Sequence, residues 1–125
     1  MIFKQEVSDM LVQAEKHTFG QARGEITYGD LLMYVRIGTR LLPDRTAASC
    51  FQIARVGVYP ETSQRTGLFT RALDVILHLT RKPIYVECVH NRDFGDALLR
   101  RGFVIVRDDM DGMVRDLVLH RDPLV

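Results

Sequence analysis

The sequence predicts an α/β fold of the α+β kind: one mixed, mostly antiparallel sheet with a central parallel strand pair and helices on both faces. Three observations carry this. Several short runs rich in Val, Ile, Leu and Tyr read as strands, and they alternate with helical stretches. One strand–helix–strand stretch, from Gln52 to Val89, demands a right-handed parallel crossover. The remaining strands are joined by turns too short for a crossover, so they pair antiparallel. At 125 residues the chain is expected to be a single domain over 1–125, large enough to bury one core.

The elements follow in order. "SDMLVQAEKHTF" (Ser8–Phe19) places Val7, Met10, Leu11 and Ala14 at helical spacing, with Ser8 as N-cap. "GQARGEITYG" is punctuated by Gly20, Gly24 and Gly29 and reads as a flexible loop. "LLMYVRIGTRLL" (Leu31–Leu42) and "AASCFQIARVGVY" (Ala47–Tyr59) read as antiparallel strands across a "PDR" turn. After Gly67, Leu68, Phe69, Ala72, Leu73, Ile76 and Leu77 share one helical face, and "RKP" ends the helix. "IYVECVH" (Ile84–His90) is apolar on both alternating sets and reads as an interior strand. A short helix, Arg92–Arg101, ends in a basic turn before Gly102. "FVIVR" and "MVRDLVLHR" form a hairpin around "DDMDG". The predicted order is α-β-β-α-β-α-β-β.

Composition narrows the function. Net charge is +1, which gives no strong nucleic-acid signal and no global attraction to an anionic membrane. Fourteen of the 17 cations are Arg, which favours fixed polar contacts over a diffuse basic surface. Cys50 and Cys88 lie in apolar runs, outside any CxxC or metal-ligand spacing, so two buried reduced thiols and no metal are expected. No long apolar run suggests a leader or a membrane span, and a cytoplasmic protein is the expectation.

The stretch "VGVYPETSQRTGLFTRALDVIL" (Val56–Leu77) runs strand, polar loop, helix. A helix start following a strand offers unpaired N–H groups and the positive dipole end, which together suit an anion such as phosphate. Gly67 lets the backbone come close to such a group, and Gln64 and Arg65 add donors. Neither GxGxxG nor GxxxxGK[ST] is present, so a dinucleotide fold or an NTPase is unsupported.

Two segments at a set spacing give a more specific reading. "VGVYPETSQRTGLF", followed about 20 residues later by "YVECVHN…LLRRGF", resembles the GNAT superfamily of acyl-CoA-dependent N-acyltransferases. Val56, Val58 and Pro60 match that family's strand end, Gln64 and Gly67 its loop, Asn91 its asparagine, and Gly102-Phe103 its closing pair. The match covers residues 52–105. The resemblance implies acetyl-CoA as co-substrate, with the amides of Gln64, Arg65, Thr66, Gly67, Leu68 and Phe69 on the pyrophosphate. It implies pantetheine beside the strand ending at Val58, with backbone contacts around Val56 and Val58, and Asn91 as a further pantetheine or water contact. The thioester would sit where the parallel strands splay at Val58 and His90, and the amine would attack from the other side.

The match departs from the family in three places. Phe69 stands where a small residue is usual, and must turn into the core if its backbone approaches phosphate. Pro60 to Gly67 is one residue longer than the common spacing. Leu98 stands where a general-acid Tyr is frequent, and Leu donates no proton. Gln52 and Arg55 stand near where some members keep a carboxylate base. The proton route is therefore open among another group, a water, or little acid–base help. Glu87 and His90 are the catalytic candidates. Glu87, mid-strand, is either cleft-facing or paired with an Arg. Tyr59 reads as packing, with a proton donor beside the loop as the alternative, Glu61 as a solvated loop residue, and His120 as structural. Arg23, Glu25 and Tyr28 lie in the Gly20–Gly29 stretch, where the family's acceptor region falls. The acceptor stays open among a small-molecule amine, a protein amine and an amino-modified nucleobase, and a homodimer stays open too. The competing reading is an inactive GNAT-fold protein that binds CoA, or nothing, as a sensor or scaffold.

Overall fold

The computed structural model describes residues 2–17, 19–58, 67–89, 91–109 and 114–121. Its elements are α1 (Ile2–Lys16), β1 (Ala22–Tyr28), β2 (Leu31–Leu41), β3 (Ala47–Val58), α2 (Leu68–Leu79), β4 (Ile84–Val89), α3 (Arg92–Arg100), β5 (Val104–Asp109) and β6 (Val114–Leu119). The six strands form one sheet in the order β1-β2-β3-β4-β6-β5. Only β3 and β4 run parallel among these neighbours, and every other pair is antiparallel. The expected mixed sheet, central parallel pair and final hairpin are therefore present.

Two elements differ from the sequence reading. The "flexible loop" is mostly a strand, β1, paired residue for residue with β2 from Ala22↔Ile37 to Tyr28↔Leu31. Its Gly24 sits within the ladder, and the alternation of Arg23, Glu25 and Thr27 with Gly24, Ile26 and Tyr28 is a strand pattern that the glycines disguise. The first helix starts six residues before Ser8, which lies inside it rather than capping it. Phe3 and Val7 extend the stripe of Met10 and Ala14 by a turn, and all four are buried.

One layering detail also differs. The sheet has a covered face and an open one. α1, α2 and α3 share a single apolar cluster with Ile26, Leu31, Met33, Val35, Ile37, Phe51, Ile53, Ile84, Val86 and Leu117. Phe69 of α2 meets Phe94 of α3 edge to face at 4.8 Å, and Arg101 at the end of α3 reaches Asp74 of α2 at 2.6 Å. The helices thus lie side by side on one face rather than on both. The cause is topological: β3→β4 and β4→β5 both step the same way along the sheet, and two right-handed crossovers in one direction place both helices on one side. The other face carries a small apolar patch, Leu42, Cys50, Tyr85 and Val118. Toward β1 and β2 it carries charge. No helix among the described residues is long and apolar enough to cross a membrane.

Candidate functional site

The site grows from the centre of the sheet. β3 and β4 pair through Phe51↔Ile84, Gln52↔Tyr85 and Ile53↔Val86. Beyond that rung both strands continue, β3 to Val58 and β4 to Val89, with no further pairing between them. A bulge lies on each strand where they part. Tyr34 pairs with Arg55 and Val35 with Ile53, so Ala54 is the extra residue in β3. Val86 pairs with Leu117 and Val89 with Arg115, so Glu87 and Cys88 together face Asp116. A bulge bends and twists its strand, and two bulges at one level turn neighbouring strands apart. The gap leaves the β3 backbone past Ile53 bound to β2 on one side and unpaired on the side toward β4. Val56 and the Val58 backbone lie on this free stretch; the Val58 side chain is outside the described set.

The bulge on β4 is braced from below. Cys88 has φ 52°, rare for a residue with a Cβ. Its backbone N–H donates to Asp116 Oδ1 at 2.8 Å, and the Tyr85 hydroxyl donates to Asp116 Oδ2 at 3.0 Å. Asp116 is buried, and these two donors satisfy its carboxylate. Burial, then Asp116 beside it, pushes the Tyr85 phenol up to about 12. The Arg40 guanidinium lies 4.2 Å over the Tyr85 ring. The expectation of two buried thiols holds for Cys50, whose burial pushes its pKa up, but not for Cys88, which the bulge turns out to solvent.

Glu87 resolves to the paired alternative. Arg36 and Arg40 both donate to its Oε1, and its side chain is 14% exposed. The carboxylate lies on the open face, between β2 and the gap. Its partners are legible in the sequence only as every second residue of a strand, and that alternation was the available signal. His90, Gln64, Arg65, Thr66, Tyr59 and Glu61 lie outside the described residues.

On the covered side of the gap, α2 begins at Gly67, with φ 79° and ψ 14°. Among the described residues no side chain caps this helix. Its first N–H groups point out of the helix start as donors, the arrangement that favours an anion. A Cβ at Gly67 meets nothing within 4 Å, so the requirement for glycine is set by φ and not by space. Leu68 and Phe69 follow in the first turn. Both pack against the core, so the bulk at Phe69 points away from the helix start. Asn91 caps α3: its Oδ1 accepts from the Phe94 N–H at 3.0 Å. Leu98 is 1% exposed and packs in the core.

A shallow cavity of about 150 Å³ lies on the open side, lined by Glu25, Leu32, Tyr34, Arg55, Val56 and Gly57. Glu25, Tyr34 and Arg55 form one row across β1, β2 and β3. The sequence placed Glu25 in a loop and did not connect Tyr34 or Arg55 with it. The arrangement is a sheet opened at its centre, with the Gly67 helix start on one side and a charged cavity on the other.

No family model matches the chain, and no curated protein matches it. Among solved structures, it is similar to the N-acetyltransferase YlbP of Bacillus subtilis, in complex with coenzyme A. The two share 20% identity, over 94% of this chain and 82% of that one, with a TM-score of 0.46. A likeness of that size leaves function to be argued from the site.

Proposed function

We propose that this chain is an acyl-CoA-dependent N-acyltransferase, moving an acetyl group from CoA to a primary amine. The observation that carries the reading is the gap between β3 and β4 beside the Gly67 start of α2. An unpaired strand edge accepts an extended, amide-bearing chain as an added strand, and pantetheine is such a chain. In this reading the amides of Gln64, Arg65, Thr66, Gly67, Leu68 and Phe69 hold the pyrophosphate. Val56 and Val58 bond pantetheine through their backbone, and Asn91, whose Oδ1 caps α3, offers its NH₂ group. The thioester carbonyl then lies in the gap, and the amine reaches it from the open face.

The amine must attack in its neutral form, so one proton has to leave it. Glu87 faces the acceptor side with Oε1 held by Arg36 and Arg40, and accepts that proton through a water it orients; His90 is the second candidate. Leu98 takes no part. Holding the two reactants at attack distance supplies most of the acceleration in this reading.

The second reading is a CoA-binding sensor or scaffold without turnover. Buried Leu98 and the pairing of Glu87 favour it. Acetyl-CoA is expected to raise the melting temperature by mass action, by about 3 kcal/mol of stabilisation at a hundredfold excess over Kd. Gly67→Asp is expected to abolish the rise, since it sets a carboxylate against the phosphates. An unchanged melting curve at millimolar acetyl-CoA defeats both readings. Binding without thiol release across a panel of amines leaves the sensor.

A further inference from the structure

The open face around the gap is unevenly charged. On the exposed sides of β1 to β4 stand four guanidinium groups, Arg23, Arg36, Arg40 and Arg55, against two carboxylates, Glu25 and Glu87. The whole chain carries only +1, while this face carries two more guanidinium groups than carboxylates. Glu87 is already shared by Arg36 and Arg40. Among the described residues, Arg23 and Arg55 meet no carboxylate.

Two details separate this patch from an ordinary solvated face. Arg23 lies directly opposite Arg36, and like charges at that position destabilise a sheet. The Nε atoms of Arg36 and Arg40 are shielded from water yet have no acceptor. A shielded, unpaired donor on a cation costs free energy, so these two arginines stand beside Glu87 at some cost to the fold. Arg55 rims the 150 Å³ cavity at the point where β3 and β4 part.

We infer that the acceptor is a small amine that itself bears an anionic group, a carboxylate or a phosphate. The anionic group binds Arg55, within the field of Arg36 and Arg23, and the amine is thereby directed toward the gap. This rests on the acyl-transfer reading and adds the acceptor's chemical class to it. The reaction balances. The ammonium loses one proton, and its nitrogen forms a bond to the thioester carbonyl carbon. The carbon–sulfur bond breaks, the sulfur leaves with the electron pair, and it takes up the second proton that the nitrogen gives up on becoming the amide. The ammonium and acetyl-CoA thus yield an acetamide, CoA thiol and one released proton. Arginine suits the task because its planar fork matches both carboxylate and phosphate.

The test compares thiol release from acetyl-CoA with four amines: β-alanine, O-phosphoethanolamine, ethanolamine and 1,3-diaminopropane. At least one of the two anionic amines is expected to exceed ethanolamine in kcat/KM by about tenfold or more, the worth of one charge-assisted hydrogen bond. Which of the two leads distinguishes phosphate from carboxylate. Arg55→Gln and Arg23→Gln, both at exposed positions, should collapse the anionic-to-neutral ratio toward one, chiefly through KM. Preference for ethanolamine or the diamine overturns the inference, as does an equal loss for all four amines. If acetyl-CoA binds and no amine turns over, melting curves with CoA present decide. Stabilisation by the anionic amines alone, lost in Arg55→Gln, supports the inference, and its absence overturns it. Failure of acetyl-CoA to bind removes the acyl-transfer reading and this inference together, whereas binding with a neutral or diamine preference removes only this one.

Discussion

The two faces of the sheet are built from alternate residues of the same strands, yet they obey different rules. In β2, Leu31, Met33, Val35 and Ile37 disappear under the helices, while Tyr34, Arg36 and Arg40 between them stay on the open side. The covered face is held by burial of apolar area, at roughly 25 cal/mol per Å². Its stability rests on apolar contact rather than on charge pairing. The open face is held by a few directed contacts, Glu87 with two arginines and Asp116 with Tyr85 and the Cys88 amide. Each such contact is worth less, but each fixes a polar atom beside the gap. The difference shows a division of labour within single strands: residues facing the helices serve apolar burial, and several facing away serve directed polar contacts.

The largest expected effect tests the covered face. Phe51 is fully buried, and Phe51→Ala should cost about 3–5 kcal/mol in urea unfolding, from lost transfer energy plus the cavity. An exposed open-face change such as Arg23→Gln should stay within about 0.5 kcal/mol. Equal costs at the two positions break the comparison.

A smaller effect comes from Tyr85. Its phenol is raised to about 12 in the folded chain, chiefly by burial, against an ordinary value near 10. The folded state therefore holds this proton more tightly than the unfolded state. The stabilisation is fully present below about pH 10 and is lost as pH rises through about 12, at most about 1.4 kcal/mol per pH unit. Tyr85→Phe should cost about 1 kcal/mol at neutral pH, for one lost hydrogen bond, and lose less stability than the parent between pH 10 and 12. An alkaline profile parallel to the parent's contradicts the Asp116 brace.

The smallest effect sharpens the comparison on the open face. Glu87→Gln leaves Arg36 and Arg40 without their carboxylate, but both arginines are about one-third exposed or more, so water screens much of the pairing. A cost of about 1 kcal/mol is expected, with a weaker dependence of unfolding on salt than in the parent. Salt dependence unchanged from the parent would mean that the ion pair adds nothing.

The sequence by itself determined the strands and helices whose apolar residues recur at period 2 or 3.6. β2, β3 and α2 follow from that recurrence, because burial selects residues by periodicity, while β4 is marked by its continuous apolar run, α3 by its basic last turn before Gly102, and the β5–β6 hairpin by its Asp-Gly turn. It determined the Gly67 helix start too, since a φ of 79° is open to glycine and strained for other residues. β1 was hidden because its glycines signal a loop locally, and only pairing with β2 makes that stretch a strand. The tertiary structure alone decided the rest. Both crossovers step the same way, so α2 and α3 share one face, α1 packs into the same cluster, and the other face is left to a small apolar patch and polar side chains. The bulges at Ala54 and at Glu87-Cys88 fall on one level only once the strands are registered, and that coincidence opens the gap. The partnership of Glu87 with Arg36 and Arg40, 51 and 47 residues away, shows locally only as two arginines on one face of a strand, and strand order alone brings them to Glu87. Contacts between distant segments depend on strand order and register, and these are fixed by how the whole core packs rather than by any one stretch of chain.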